Sequence, residues 1–519
     1  MFPKFRNLAS TATIALALAG AQAAAQNGAV LVQGPSSSQP PYVVGVQKGV
    51  ITVSIISVGD SVNLGPSGQP YRFVGIPDGL GVYDREDGTF GVFCNHELGA
   101  SAGVPRAHST NGAGAFVSHW TVTKNRVGQN AFEVTSGADL IQNVSLWDPN
   151  QGVYLAPTTG VVFDRFCAAD LPAKTAWLAN GLGFNGRLFM NGEESNDGRA
   201  WAHVVSGPFR GTSYELPRLG KQGWENIVAN PGPSAKTVVI GTDDTTPGQV
   251  FVYVGQKQNV GNPVERAGLA NGQLYGVAVQ GVPVEDRNLG VPSTTPFSLV
   301  SFGDVSNLDE AALDALCDAG GVTKFLRPED GAWNPANLNQ FIFCTTDRFD
   351  TVKTGTGTQI GRSRLWSMMF YDRQNPALGG TIEMLLDGTE SGQMYDNLTL
   401  DQAGHVLLQE DPGNQGYSAR IWQYDLATDT LKNIARFEKL RFGDLGVPAV
   451  APYTTDEESS GIVDATALLG SGWFVITGQA HYAFGDPELV QGGQLLALYN
   501  PDSDIDGVLD LNVRTLTGN

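Results

Sequence analysis

The sequence is poor in cysteine and in basic residues, and each shortage excludes a class of protein. Its 519 residues include four cysteines, which are too few for a disulfide framework and do not have the spacing of a zinc site. One isolated disulfide would still suit an oxidising compartment. The 32 Lys and Arg residues face 52 Asp and Glu residues, which leaves a net charge of −20. Because phosphate backbones need a basic surface, nucleic acid is excluded as a partner, whereas divalent cations suit this charge.

Long apolar runs are also missing. After residue 26 no stretch reaches the roughly 18 apolar residues of a transmembrane helix, so no membrane insertion is expected.

Before that point, Lys4 and Arg6 precede a short apolar run at 8–20, and residues 21–25 offer small-x-small cleavage sites. This is the pattern of a signal peptide, which we place at 1–25, with a mature domain over 26–519 in the periplasm or outside the cell. Since no Arg-Arg pair precedes the apolar run, the general secretory route is expected.

Helical periodicity is nearly absent, whereas glycine is abundant. The 65 glycines and the many β-rich runs predict an all-β protein. The one predicted helix covers residues 306–321, with Ser306 or Asn307 as its cap and a glycine stop. We interpret it as one short helix inserted in a loop.

One supersecondary unit recurs along the chain. It begins with small or acidic residues, continues through a strand and a turn, and then has a β-run that ends in Asp, Glu or His; a third strand follows. Its six copies begin near residues 77, 167, 224, 327, 395 and 458. At about 80 residues a copy, against 40 to 45 in a compact propeller repeat, this predicts a six-bladed β-propeller with long loop insertions.

Further strands complete the predicted propeller. Outer strands are expected near 274–279, 298–302, 382–386 and 431–437. The N-terminal run at 42–62 should pair with a strand from late in the chain and close the ring.

The acids of the repeat should meet at one end of the propeller, because the start of the first strand and the end of the second lie together in a hairpin. The first group comprises Asp78, Asp170, Glu225, Glu329, Asp396 and Glu458. The second comprises Glu97, Glu193, Glu194, Asp243, Asp347, Glu410 and Asp411. So many carboxylates repel one another unless cations neutralise them, and clustered oxygen ligands favour calcium. Since acids at strand ends are also common turn residues, we expect several to be structural.

At several of these elements the chain resembles the PhoX-like alkaline phosphatase family, which are secreted β-propeller phosphatases. The matching elements are Cys94-Asn95-His96-Glu97, Cys167, Gly192-Glu193-Glu194, Arg327-Pro328-Glu329-Asp330, Gln409-Glu410-Asp411-Pro412, Glu458-Ser459-Ser460-Gly461 and Gln479-Ala480-His481. They extend over residues 77–500.

The resemblance implies an exported phosphatase that hydrolyses small phosphate monoesters at a mixed iron and calcium centre in the channel. Carried over position by position, it makes Cys167 the iron ligand and Arg327 the residue that binds the substrate phosphate. The carboxylate ligands it implies are Glu193, Glu194, Glu329, Glu410 and Asp411, with Glu97 and Glu225 as further members. Positive charge from clustered metals and an arginine is what phosphoryl transfer needs.

Other residues leave alternatives open. His96 and His481 end inner hairpins and could act in acid/base chemistry or as ligands, and a structural hydrogen bond is an equal alternative for His96. Cys94 and Cys344 are expected to pack in the core. Residues 502–507 match the first half of a calcium loop, and either a weak calcium site or a solvated acidic turn would fit.

Two other functions would fit the same acidic channel. One is a calcium-stabilised extracellular propeller that binds a partner without catalysis. The other is a propeller hydrolase of another kind, such as a lactonase or a phytase. The sequence does not determine the oligomeric state.

Overall fold

The computed structural model describes residues 28–126, 130–287, 289–347, 363–413 and 416–506. The predicted signal peptide at 1–25 lies outside these residues. Regular structure within them is almost entirely β, in mainly antiparallel sheets whose first strands surround a common channel. Two outermost strands pair in parallel with their neighbours. The predicted all-β propeller fold is thereby confirmed.

The strands form six successive units, each numbered here from the channel outward. Unit 1 contains β6 (Pro77–Asp84), β7 (Thr89–His96), β8 (Phe116–Thr123) and β9 (Val134–Asp139). Unit 2 contains β15 (Leu188–Gly192), β16 (Ala200–Val204), β17 (Thr212–Glu215) and β10 (Asn143–Ser145). Unit 3 contains β18 (Trp224–Ala229), β19 (Lys236–Asp243), β20 (Val250–Gln256), β21 (Gln273–Val279) and β22 (Thr295–Gly303).

The second half of the chain repeats this order. Unit 4 contains β23 (Pro328–Trp333), β24 (Gln340–Thr345), β25 (Arg364–Phe370) and β26 (Gly380–Leu386). Unit 5 contains β27 (Tyr395–Leu400), β28 (His405–Glu410), β29 (Arg420–Asp425), β30 (Thr430–Phe437) and β2 (Val43–Gly45). Unit 6 contains β31 (Glu457–Asp464), β32 (Trp473–Ala483), β33 (Gln491–Tyr499), β3 (Ile51–Ser57) and β1 (Val30–Gln33).

Three short hairpins lie outside the units. They are β4 (Ser61–Leu64) with β5 (Pro70–Arg72), β11 (Trp147–Asp148) with β12 (Val153–Tyr154), and β13 (Leu178–Ala179) with β14 (Leu182–Gly183). The predicted outer strands correspond to β21, β22, β26 and β30, and these predictions are confirmed.

The first strands of the units form a ring. In unit 2 the innermost position is taken by the irregular segment 166–170, which is bridged to β15 at Phe166–Glu193 and Asp170–Met190. The N–H of Gly79 in β6 donates to the carbonyl of Cys167 at 3.1 Å, which joins units 1 and 2. Units 3 and 4 share one nine-stranded sheet through β22 and β26. The count of six separate blades therefore stays a prediction.

The N-terminal strands close the ring, as predicted. Strand β3 pairs antiparallel with β33, and β2 pairs antiparallel with β30. All seven residues of β3 are buried. Since burying one Val or Ile side chain contributes about 1.5–3 kcal/mol, this closure is held largely by apolar packing.

The predicted helix is present but begins later than expected. Helix α2 covers Glu310–Gly320 and is capped by Asp309, whose side chain accepts from the N–H of Ala312 at 2.9 Å. The expected cap at Ser306 or Asn307 is wrong, because the aspartate aligns with the first free N–H groups. Three single-turn helices accompany it: α1 (Pro263–Arg266), α3 (Lys439–Phe442) and α4 (Thr466–Leu469). No described helix has the length and apolar character needed to cross a membrane.

The four cysteines all lie within the described residues, and all are buried and free. Cys94 and Cys344 belong to apolar clusters between neighbouring sheets, which confirms that they pack in the core. No disulfide joins any of the four.

Candidate metal centre

Six residues at the starts of the first strands face the channel, and we call them the start tier. They are Asp78, Cys167, Glu225, Glu329, Asp396 and Glu458, and all are buried. Five of the first strands change register close to this residue, as between Pro77 and Leu80 or Tyr395 and Leu398. Because a β-bulge re-aims the neighbouring side chains, the polar groups turn away from the sheet and into the channel.

A second set of acids follows the ends of the second strands, and we call it the end tier. It comprises Glu97, Glu194, Asp244 and Asp411. The backbone N–H of each end-tier acid donates to a carbonyl in the same unit at 2.7–2.9 Å, and that carbonyl belongs to the residue two positions before the unit's start-tier residue. The acceptors are Ile76, Arg165, Gly223 and Met394. Three of these acceptors, Ile76, Arg165 and Met394, have left-handed φ angles of 50°, 36° and 52°. This repeated contact holds each end-tier acid beside the start tier.

The two tiers form overlapping groups in which three potential ligand atoms lie within 4.8 Å of one another. The groups are Asp78–Glu97–Cys167, Cys167–Glu225–Asp396, Glu194–Glu225–Asp244 and Asp396–Asp411–Glu458. Cys167, Glu225 and Asp396 each belong to two groups. The arrangement therefore offers several adjoining positions for cations instead of one isolated site.

Several oxygens of the start tier have no hydrogen-bond partner among the described residues. They are Asp78 Oδ1, Glu225 Oε1, Asp396 Oδ1 and Glu329 Oε2, whereas Oε1 of Glu329 forms an ion pair with Arg327. A buried polar group without a partner is costly. Oxygens left in this way on one channel wall are suited to coordinate cations.

Burial and mutual repulsion also disfavour the charged forms of these acids. Burial, followed by the charges of neighbouring carboxylates, raises the pKa of Asp78, Glu225 and Asp396 well above the ordinary range. Burial likewise raises the pKa of the Cys167 thiol, and Asp78 adds to this. The protein alone therefore favours the protonated forms, and cations would be needed to hold these groups as anions.

Two arginines reach the same mouth. The Nε atom of Arg327 lies 2.5 Å from Oδ1 of Asp244 and 3.0 Å from Oε1 of Glu329. The Nη2 atom of Arg165 donates to Oε1 of Glu97 at 2.5 Å and to Oε2 of Glu194 at 2.8 Å. Both guanidinium groups are therefore fixed by acids of the two tiers.

Unit 6 contributes two further polar side chains. The Nε2 atom of Gln479 donates to Asp78 at 2.9 Å, Glu97 at 3.0 Å and Glu458 at 3.2 Å. His481 lies with Nε2 3.8 Å from Oε2 of Glu458. Burial lowers its pKa, but the hydrogen bond to Glu458 and that carboxylate's charge outweigh this and raise the pKa to about 10.

Glu193, Glu329 and Glu410, all predicted as ligands, lie outside the four groups, and of the three Glu329 lies beside Arg327 at the mouth. The carboxylate of Glu193 accepts from the backbone N–H of Arg199 at 3.1 Å and from its Nε at 2.6 Å. That of Glu410 accepts from Trp422 Nε1 at 2.7 Å and from the N–H of Arg420 at 3.0 Å. Glu193 and Glu410 each precede an end-tier acid by one residue. Because successive side chains of a strand point to opposite faces of the sheet, these two carboxylates bond to groups of their own unit and face away from the channel.

His96, predicted as a catalytic residue, also points into its sheet. Its Nε2 atom lies 2.8 Å from Oγ of Ser118 and its Nδ1 atom 3.2 Å from the carbonyl of Gly75, and its ring stacks on Phe116. Burial lowers its pKa to about 3. The structure thus places a neutral, fully buried imidazole here, away from the channel.

Some residues of the site were missed or undervalued in the sequence. Asp78, Asp396 and Glu458 were expected at the mouth but not among the ligands. Asp243, not Asp244, was predicted at the mouth in unit 3. In the structure Asp243 faces away from the channel and accepts from the N–H of Gln249 at 3.3 Å. Arg165 had a usable signal, since it precedes Cys167 by two residues just as Arg327 precedes Glu329.

The predicted calcium half-loop is only partly described. Oγ of Ser471 lies 2.7 Å from Oδ1 of Asp504 and 2.9 Å from Oδ2 of Asp506, either of which can accept its hydrogen. Residues 507–519 lie outside the described part of the chain.

Comparison with known proteins identifies the fold. No protein-family model and no curated protein sequence matches the chain. Among solved structures, PhoX of Pseudomonas fluorescens in complex with vanadate, a transition-state analogue, matches with a TM-score of 0.62 at 13% identity, over 91% of this chain and 97% of that one. A protein of unknown function from Dyadobacter fermentans matches with a TM-score of 0.37 at 9% identity, over 89% of this chain and 100% of that one. The first match shows a PhoX-like fold.

Proposed function

We propose that this protein is a metal-dependent phosphatase that hydrolyses small phosphate monoesters at the channel mouth. The observation that carries the proposal is the convergence of one thiol and nine carboxylates in two tiers, flanked by Arg327. It is supported by the fold shared with PhoX, whose structure contains vanadate as a transition-state analogue. Vanadate mimics the phosphoryl group in the transition state of its transfer. At least one protein with this fold therefore binds such a group.

The proposed ligands differ from those expected at first. Cys167, Glu97, Glu194, Glu225, Glu329 and Asp411 are retained, and Glu193 and Glu410 are omitted because sheet groups already satisfy their carboxylates. Asp78, Asp244, Asp396 and Glu458 are added for their positions in the groups around the channel.

The donor set fits two kinds of ion. Carboxylate oxygens in irregular clusters suit calcium, whereas the sulfur of Cys167 favours a transition metal, for which we propose iron. Oε1 of Glu225, Oδ1 of Asp396 and Oε2 of Glu329, which accept no hydrogen bond from the described residues, are available to both.

The protein's own residues would position the substrate. Bound ions would supply positive charge at the phosphoryl oxygens and an activated water nucleophile. The guanidinium of Arg327 would donate to the phosphoryl oxygens, and Asp244 and Glu329 fix its orientation beforehand.

The test is hydrolysis of para-nitrophenyl phosphate by the full mature chain. We expect hydrolysis in the presence of calcium and iron, loss of activity after chelation, and at least a hundredfold decrease in Glu329→Ala. Asp243→Asn is the matched control, because this buried acid lies next to Asp244 in the hairpin of unit 3 but faces away from the channel. Full activity in metal-free buffer would refute the proposal. Absence of hydrolysis in metal-loaded protein, with a chelation-sensitive melting temperature, would favour the non-catalytic calcium-stabilised propeller.

A further inference from the structure

Arg165 occupies the same position in unit 2 that Arg327 occupies in unit 4. Each lies two residues before a start-tier residue, and each has a left-handed backbone, with φ angles of 36° and 65°. The carbonyl of Arg165 accepts from the N–H of Glu194 at 2.9 Å, and that of Arg327 accepts from the N–H of Thr346 at 3.0 Å. Bulky residues rarely adopt positive φ, and such strain is found where the surroundings enforce it, often at functional sites.

The guanidinium of Arg165 is fixed along one edge and open along the other. Its Nε and Nη2 atoms donate to Glu97, and Nη2 also donates to Glu194. Among the described residues, none accepts a hydrogen bond from Nη1. The side chain is 47% exposed, compared with 24% for Arg327 and 8% for Glu97. Nη1 is therefore left without an acceptor among the described residues, on a side chain that is nearly half exposed.

An anionic substrate needs such a group. A phosphate monoester approaching two tiers of carboxylates is repelled unless cationic groups meet it at the rim. One guanidinium can bind two oxygens of a phosphoryl group, which leaves a third oxygen for another donor. Arginine provides this better than lysine, because its planar guanidinium can be held by Glu97 along the Nε–Nη2 edge and still present Nη1 to the oxyanion, and because it is less strongly hydrated.

We propose that Arg165 is a second phosphate-binding residue, which contacts the phosphoryl group from unit 2 while Arg327 contacts it from unit 4. The inference rests on the proposed function and deepens it, because it names the residue pair that selects a terminal phosphoryl dianion. Glu97 and Glu194 hold the Arg165 guanidinium in place without covering its Nη1 edge.

Calorimetric titration of the metal-loaded full chain with inorganic phosphate tests this proposal. Losing a hydrogen bond to a charged group should weaken phosphate binding roughly tenfold to a hundredfold in Arg165→Gln, with metal content unchanged. Arg165→Lys should recover part of the affinity. In hydrolysis assays, Arg165→Gln should raise KM for the ester in the same proportion.

Arg199→Gln is the matched control, because Arg199 forms an equivalent pair with Glu193 in the same unit but lies against Trp201 within the sheet. Its phosphate affinity should equal that of the wild type. Unchanged affinity in Arg165→Gln, with normal hydrolysis by the wild type, would overturn this inference alone. Loss of metal from Arg165→Gln would also overturn it, since Arg165 would then serve to hold Glu97 and Glu194. A metal-loaded wild type that binds no phosphate would overturn both this inference and the proposed function.

Discussion

At the scale of single residues, the direction of each side chain decides which acids belong to the site. Glu193 and Glu194 are chemically identical neighbours, yet Glu193 pairs with Arg199 inside the sheet and Glu194 faces the channel. The same division separates Asp243 from Asp244 and Glu410 from Asp411. Alternation along a strand explains all three pairs.

Glu194→Gln and Glu193→Gln should therefore fail in different ways. We expect Glu194→Gln to lose bound metal and most activity, while in metal-free buffer it should unfold at nearly the same temperature as the metal-free wild type. Glu193→Gln should keep its metal but lose about 1–3 kcal/mol of stability, because the half-buried Arg199 keeps a weaker partner. Elemental analysis and thermal unfolding of both variants provide the check, and equal metal loss in the two would contradict the assignment.

Cys167 is the one sulfur in the start tier, and its substitution should change which ions are bound. Because a hydroxyl is a harder and weaker donor than a thiolate, Cys167→Ser should lose the transition metal and keep calcium. Cys317→Ala, in helix α2, is the control and should leave both contents unchanged. Iron content that is the same in Cys167→Ser and the wild type would show that the thiol is not a ligand.

The sequence indicated the acid pairs but could not show which member of each pair faces the channel. The hairpin repeat predicted the carboxylates at one mouth, and the structure brings Asp78, Glu225, Asp396 and Glu458 together there, with Glu329 beside Arg327. The prediction does not hold for Asp170, whose carboxylate accepts from the N–H of Ala229 at 2.9 Å. The bulges after the start tier shift the register by local backbone geometry, which leaves no clear residue signature. The strained backbone of Arg165 has the same cause, so only its spacing from Cys167 could have revealed it.

At the scale of elements, the β-bulges and the left-handed residues before them build the mouth. A regular first strand would direct alternate side chains into the packed space between sheets, where a carboxylate is costly. The bulge instead lets the acid reach the channel while the rest of the strand remains buried. The site is therefore a consequence of how each hairpin begins.

The element that closes the ring should control the cooperativity of folding. Removing residues 28–57 deletes β1, β2 and β3 and leaves the apolar edges of β33 and β30 without partners. We expect this truncation to lose cooperative thermal unfolding, as followed by calorimetry. Removing residues 28–33 deletes only β1, which is partly exposed along its length, and should lower the melting temperature slightly. Similar unfolding of the two truncated chains would contradict this account of closure.

At the scale of the whole molecule, the net charge of −20 and the acidic channel act in the same direction. Folding gathers ten ionisable groups of the two tiers at one mouth, and their mutual repulsion opposes the compact state. Cations that bind only the folded chain reverse this effect through mass action.

Chelation should therefore destabilise the protein even where no reaction is measured. With calcium present at one hundred times its dissociation constant, the gain in stability is about 2.7 kcal/mol for one site. We expect EDTA to lower the melting temperature and added calcium to restore it. In Glu225→Gln the difference should be smaller, because this residue belongs to two of the four groups. A melting temperature that ignores chelator in the wild type would speak against bound cations.

Elemental analysis of the purified, metal-loaded protein tests the central claim most directly, with Glu225→Gln analysed beside the wild type. The two tiers predict more than one ion per wild-type chain, with calcium and iron both present, and fewer ions in the variant. A wild-type chain that retains no calcium and no iron after dialysis from both would contradict a metal centre at this mouth.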